Sequence, residues 1–367
     1  MVEDKEGLNL PQGERYIFSV ELKPLQGDRF QPTGFPNIGA ATYERPDGTK
    51  MLLVESSQSM ANRLEETIVG PDGYNIIQEL QGLPYVVSII QIKKDKNDTA
   101  PLLTHTSSLT EPHRLNSHFI LVGKRDGSEK HFGDELKDEF EYDRKSLPNW
   151  KKIAQVLFKY DPNTLLHGVF FSNIEDGKIK MPRAVSAFIE AEDVRPVESG
   201  GLKKNPFDSS GELAPVDKVK VKDGSQMVPY SRTEYTAKSI RAYFNIDLSL
   251  IRSYADMIAD GNESKKDSIG KLLYLLTLYK VRGFLNRGLR LRTSCDFTVV
   301  ESTGYKFPDP LGELKQLIAA CRSYSLFSDS PTRLKSEWKV SEKNVEVTSE
   351  GSPDESSSDQ DDASADN

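Results

Sequence analysis

Tyr16, Phe18, Val20 and Leu22 alternate with polar neighbours, the period of a half-buried strand. Leu83–Ile92 and Arg114–Val122 are rich in Val, Ile and Phe and predict further strands. Val185, Ala187, Ile189 and Ala191 give a fourth period-two run. The longest is Ser239–Leu250, with Ile240, Ala242, Phe244, Ile246 and Leu248 on one face and Arg241, Tyr243, Asn245 and Asp247 on the other. Helical spacing takes over between these runs. Met60, Leu64 and Ile68 predict a helix over Ser57–Ile68. Ser146 is placed to cap a helix that buries Trp150, Ile153, Ala154, Leu157 and Phe158. Asp267–Leu285 turns Ile269, Leu272, Leu273, Leu276 and Tyr279 inward and ends near Arg287-Gly288, which suits a helix C-terminus. A strand over Leu289–Val299 follows. This order predicts an α+β fold with helices on one face of a mainly antiparallel sheet, as in a ferredoxin-like or RRM-like core whose other face stays open.

Two segments fit neither period. Arg29–Pro46 is dense in proline and glycine. Pro196–Pro229 carries Gly200-Gly201 and the alternating Val219-Lys220-Val221-Lys222 before Asp223-Gly224, which reads as a hairpin arm. Connections this long in a folded body are commonly functional or disordered. The chain divides into an N-terminal extension (1–14), a body (15–340) with the arm inserted around 196–229, and a tail (341–367). The tail is rich in Ser, Asp and Glu and nearly free of large apolar residues after Val347, so it is expected to be disordered. No internal repeat is visible.

Charge changes the picture only through its distribution. The 367 residues carry a net charge of −8, which on its face disfavours a nucleic-acid partner. From Glu342 to Asn367, however, nine acidic residues stand against one lysine, so the remainder is neutral and can hold a local basic groove. The start of the chain is acidic and lacks an apolar leader, and no apolar run is long enough to span a bilayer. Cys295 and Cys321 form neither a C-x-x-C nor a zinc pattern. Free thiols and a cytoplasmic location are the expectation.

Catalytic motifs are missing. There is no phosphate-binding loop, dinucleotide fingerprint, H-E-x-x-H or G-x-S-x-G. The histidines His105, His113, His118, His131 and His167 show no ligand spacing, and the acidic run Asp134–Asp143 reads as a solvated loop, so neither metal nor cofactor is expected. His113 and His167 could serve as a general acid–base pair for RNA cleavage, or could each satisfy a hydrogen bond or touch a phosphate. Arg290 and Arg292 share one strand face near the end of the long helix. They suit phosphate oxygens, or alternatively pairing with Asp296 or Glu301.

Five stretches carry a resemblance. They are Arg29-Phe30-Gln31-Pro32-Thr33-Gly34-Phe35-Pro36, Val54-Glu55-Ser56-Ser57-Gln58-Ser59-Met60-Ala61-Asn62-Arg63-Leu64-Glu65, Glu111-Pro112-His113-Arg114-Leu115, Leu166-His167-Gly168-Val169-Phe170-Phe171, and Gly288-Leu289-Arg290-Leu291-Arg292-Thr293-Ser294-Cys295-Asp296. Together they make the chain, from Tyr16 to Phe297, resemble the type I-G (formerly I-U) CRISPR-associated RAMP backbone proteins, the Cas-seven group. The resemblance implies an RRM-like palm with a β-hairpin thumb, and a subunit of the Cascade surveillance complex that binds crRNA, polymerises head-to-tail along it and does no chemistry. The implied partners are crRNA, target DNA paired to the guide, further copies of the chain, the repeat-processing subunit and the large subunit. On the matched motifs the RNA contacts would be Arg29, Gln31, Gln58, Ser59, Asn62, Arg63, His113, Arg114, Arg290 and Arg292. The arm would be the thumb, with Phe207 or Met227 as the wedge between bases. The alternative is a RAMP-superfamily endoribonuclease that processes CRISPR transcripts.

Overall fold

β1 (Arg15–Pro24) forms where the alternation predicts it and turns Val20 and Leu22 into the core. The computed structural model describes residues 8–35, 38–93, 102–143, 145, 147–172, 174, 179–205, 219–220, 226–300 and 308–339. Two short strands, β2 (Gly34–Phe35) and β3 (Gly39–Ala40), pair with each other before β4 (Thr42–Glu44) and β5 (Lys50–Glu55). The Ser56 side chain then accepts from the Ser59 amide at 3.2 Å and starts α1 (Ser57–Glu66), which buries Met60 and Leu64. β6 (Val86–Lys93) and β7 (Leu102–Ser107) form a hairpin.

Next come a 3-10 turn over Arg114–Asn116, α2 (His118–Leu121), α3 (Phe132–Glu139), α4 (Trp150–Tyr160) and α5 (Pro162–His167). β8 (Val169–Phe170) pairs with β9 (Lys180–Met181), and β10 (Val185–Glu192) leads into β11 (Arg195–Asn205). β12 (Val219–Lys220) and β13 (Gln226–Thr236) complete the arm, and β14 (Ser239–Asp247) returns to the body. α6 (Leu248–Ala259), α7 (Glu263–Asn286), β15 (Leu289–Arg292), β16 (Cys295–Val299), α8 (Leu311–Ser323) and β17 (Thr332–Lys339) follow.

The fold is α+β. Its main sheet runs β15-β16-β1-β14-β10-β5-β4, and every neighbouring pair in it is antiparallel. On the inner face Ile240, Ala242, Phe244 and Ile246 of β14 lie beside Val185, Ala187, Ile189 and Ala191 of β10, all buried under the helices. Each large apolar side chain so placed contributes about 1.5–3 kcal/mol. A second sheet sets β17 parallel to β6, with β7 on the other side. The arm is a long antiparallel ribbon, β11 against β13, in register from Arg195↔Thr236 to Asn205↔Gln226. It is longer than 196–229 at its return end. Phe207, the Asp223-Gly224 turn and the 341–367 tail lie outside the described residues.

Several expectations are corrected. Arg114–Val122 is no strand: Arg114 takes φ +52°, and the apolar residues Leu115, Ile120 and Leu121 are buried on a turn and a short helix. A short apolar run fits either structure by period alone. Asp134–Asp143 is largely helix, because Phe132, Leu136 and Phe140 at four-residue spacing bury one face beneath the charges. Ser239–Leu250 stops as a strand at Asp247, whose carboxylate accepts the Leu250 amide at 2.9 Å and caps α6. Ser146 lies outside the described residues. Asn149 caps α4 instead, leaving Trp150 at the first helical position, 41% exposed. Leu289–Val299 is two strands, turned at Ser294 with φ +58°.

Candidate functional site

The Arg29–Pro36 stretch is anchored by the deeply buried Phe30. Phe30 exchanges both backbone hydrogen bonds with Tyr235 at 2.9 Å and meets the Phe297 ring edge-on at 5.5 Å. The Gln31 amide donates to the Ser294 carbonyl at 2.8 Å. Phe30 thus ties the loop to the root of the arm and to β16, and Gln31 ties it to the β15–β16 turn. Its flanking residues, Arg29 and Gln31, are delivered to the seam between them.

A cleft of about 580 Å³ opens along that seam, lined by Arg29, Arg232 and Arg290 together with Asp28, Glu234 and Asp296. One of the three acids is buried. The Glu234 carboxylate is 4% exposed and shared, 3.1 Å from Arg29 and 2.6 Å from Arg232. Arg232 also donates to Gln31 Oε1 and Ser294 Oγ, both at 3.1 Å. Glu234 lies beneath with Arg232 bound over it, while Arg29 and Arg290 reach solvent beside Asp28 and Asp296. Arg290 is 79% exposed and only loosely paired with Asp296 at 3.9 Å. Such an array suits the phosphate oxygens of an extended anion.

Arg292 is diverted. The β15–β16 register shifts between Arg290 and Arg292, and the Arg292 guanidinium pairs with Glu55 and donates to the Val54 carbonyl at 3.1 Å. Glu55, whose carboxylate is fully buried, also binds Arg63 at 3.0 Å and accepts from the Ser59 hydroxyl. The arginine pairing foreseen with Asp296 or Glu301 is therefore corrected for Arg292, whose partner is Glu55. Ser59, Arg63 and Arg292 are committed to fastening β15 onto α1 and β5.

Arg114 is likewise internal. Its guanidinium holds both Glu65 oxygens at 2.7 and 2.8 Å and donates to the Gly168 carbonyl at 3.1 Å. That placement corrects its expected position on the surface. The motifs around Arg114 and His167 meet in one buried network. Asn163 donates to Glu65 at 2.8 Å, and His167 Nε2 lies 3.1 Å from Lys280 Nζ. Burial pushes the Asp161 carboxyl up to about 6, and pushes the Lys280 ammonium down to about 8 against the pull of Glu65 and Asp161. Burial, then the nearby Lys280, Arg114 and Arg183 charges, hold His167 well below the usual imidazole range.

His167 therefore stays neutral in the folded protein but takes up a proton when unfolded as pH falls through about 6.5. The unfolded state gains a proton that the folded state refuses, so this contribution to stability is lost as pH falls below about 6.5. Asp161 acts with the opposite sign, since its raised carboxyl binds a proton more tightly when folded. Stability from that group falls as pH rises from about 3.9 towards 6. His167→Gln removes the first effect alone. The urea midpoint of the parent protein is expected to drop more steeply than the variant's between about pH 6.5 and 5. Parallel profiles would show an ordinary imidazole.

The arginine cleft continues into two further depressions. One, of about 90 Å³, is lined by Arg63, Glu66, Arg287 and Arg290 among others. Arg287 donates to the Glu66 and Thr67 carbonyls at 2.9 and 3.0 Å, closing the C-terminus of α1. The other, of about 420 Å³, lies between Asn62 and Glu66 of α1 and the Leu109–Pro112 loop. Arg290 is common to the first two depressions and Glu66 to the last two, so the three follow one another across the surface. The exposed His113 adjoins Pro112 at the far end, while Gln58 stands exposed on the first turn of α1.

Residues 17–196, just under half of the chain, match the model of a family described as CRISPR-associated protein GSU0053 (Cas_GSU0053). The match supports a CRISPR-associated protein. No curated protein matches the chain. Arg29, Gln31, Glu55, Arg63, Arg114 and His167 fall inside the matched stretch, and Arg232, Arg287, Arg290 and Arg292 beyond it. Sequence reasoning left Arg232 out of the site, for nothing in Ser231–Thr236 marks it until Tyr235 is paired with Phe30. Among the described residues no group of three or more His, Cys, Asp or Glu is placed to hold a metal, and no helix is long and apolar enough to cross a membrane.

Proposed function

We propose that the protein is a crRNA-binding backbone subunit of a type I CRISPR interference complex, of the I-G kind, which polymerises along the guide and supports target DNA recognition. The observation that carries this is the cleft in which Arg29 and Arg290 reach solvent at the root of a long arm. The CRISPR-associated match supports the setting. A backbone subunit holds phosphates and leaves sequence to the guide's own pairing. Arg29, Arg232 and Arg290 meet the first need. The arm acts as the thumb; Met227, opposite Lys204 and Val219, sits in it. The partners are crRNA, the paired target strand, neighbouring copies, and the repeat-processing and large subunits.

Guide cleavage by this chain has less support. His167 is buried against Lys280 whereas His113 is exposed, so the two imidazoles share no surface on which to act on one phosphate. Purified from cells that express the whole CRISPR locus, the protein is expected to carry RNA of uniform length and to form open head-to-tail arrays. A monodisperse, RNA-free dimer from such cells would count against the proposal.

A further inference from the structure

We infer that Glu234, the buried acid of the arginine cleft, is a positioning residue for strand binding: it aims Arg29 at the phosphate, so that removing this negative charge weakens the hold on RNA. This rests on the RNA-binding reading above, and deepens it by giving the acid of the cleft a task.

Backbone pairing sets the geometry. Phe30 and Tyr235 form an antiparallel bridge and pack on the core. Side chains alternate along each strand, so Arg29 and Gln31 fall on the other side, together with Arg232 and Glu234. There the contacts run in sequence. Arg232 is braced first: Nη1 donates to Gln31 Oε1 and Nη2 to Ser294 Oγ, both at 3.1 Å, so the loop and the β15–β16 turn hold it from two sides. Its Nη2 also meets Glu234 Oε1 at 2.6 Å. That fixes the carboxylate, whose second oxygen receives Arg29 Nη1 at 3.1 Å. The same Arg29 nitrogen lies 3.5 Å from Ser199 Oγ on the other strand of the arm. Arg29 is thus tethered through one nitrogen while its side chain stays 56% exposed, which leaves N–H groups of the fork for a phosphate oxygen.

Two effects of the acid oppose each other. Its charge repels the strand, by roughly twofold in affinity for a phosphate about 8 Å away in water. The tether acts the other way. A loose arginine gives up its rotamer freedom on binding, at a cost of up to about thirtyfold in affinity, and Glu234 has already ordered it. Arg232 keeps Gln31 and Ser294 when the acid is lost, so the change falls on Arg29. The tether is the larger effect and sets the sign.

The test uses the full chain and a fluorescently labelled twelve-residue oligouridine at one salt concentration, with urea midpoints to show that each variant is folded. Glu234→Gln keeps the shape of the side chain and removes its charge. It is expected to bind about fivefold more weakly than the parent, where charge counting expects tighter binding. Arg29→Ala also weakens binding, and in that background Glu234→Gln should cause no further loss. Glu234→Asp keeps the charge but draws it back from Arg29, and carries the same test if the glutamine variant does not fold: weaker binding, again only while Arg29 is present. Binding by either variant that equals or exceeds the parent's, or a loss as large without Arg29 as with it, overturns the positioning role and leaves the cleft standing. An Arg29→Ala variant that binds like the parent overturns it too. Failure of the parent to bind the oligomer overturns both readings.

Discussion

Arg114→Met is expected to lower the unfolding free energy by about 3–5 kcal/mol, because it leaves the Glu65 carboxylate buried without its bidentate partner. The side chains of both residues are less than a tenth exposed, so water cannot replace what is removed. The Gly168 carbonyl loses its donor in the same step. Adding Glu65→Gln should return a large part of the loss, since a neutral amide is far less costly to bury than a lone carboxylate. Urea unfolding of the single and double variants measures this. The salt dependence of RNA binding in the folded protein should be unchanged by Arg114→Met. A shallower slope at an unaltered midpoint would place Arg114 on the RNA after all.

Arg290→Ala and Arg292→Ala are expected to separate, although the two residues are neighbours on one strand. Loss of Arg290 should leave the urea midpoint in place, because its side chain is mostly solvated and its ion pair long. The slope of log affinity against log salt for single-stranded RNA should become shallower by about 0.7, the effect of one lost phosphate contact. The loss should be the same for guides of any sequence. Arg292→Ala removes charged hydrogen bonds to a buried carboxylate and to the Val54 carbonyl, and should reduce stability by about 1.5–3 kcal/mol with no change in slope. If the two variants behave alike, the register shift in β15–β16 does not divide their roles.

The strands that read most clearly in the sequence, β1, β10 and β14, are half-buried and keep strict alternation, so one face declares itself. α7 declared itself by length. The failures share a cause. At Arg114–Val122 and Asp134–Asp143 the local pattern is short, and a single polar or charged run hides which side is buried. In the site, Arg29 and Gln31 were legible from their motif, and Arg290 from its strand face. What could not be read was the assignment of cations to anions. Glu55 draws in Arg63 and Arg292 from positions far apart in the chain, Glu65 takes Arg114, and Arg232 arrives from the arm. Such pairings are set by the packed sheet, and a motif preserves the residue without saying whether it holds a ligand or a neighbouring strand.

The parallel pairing of β17 with β6 has a consequence for how the chain is made. β6 is rich in Val and Ile, and its hydrogen-bonding edge away from β7 is met by residues some 245 positions later, Thr332–Lys339. Until the ribosome has delivered them, the second sheet ends in a bare apolar edge, the kind that pairs with other chains. Contacts this distant in sequence form slowly, because the intervening loop must be closed before they return any stability. The last strand among the described residues is thus the one that seals the sheet, and chains that have not yet received it, or have lost it, are the form of this protein most exposed to aggregation.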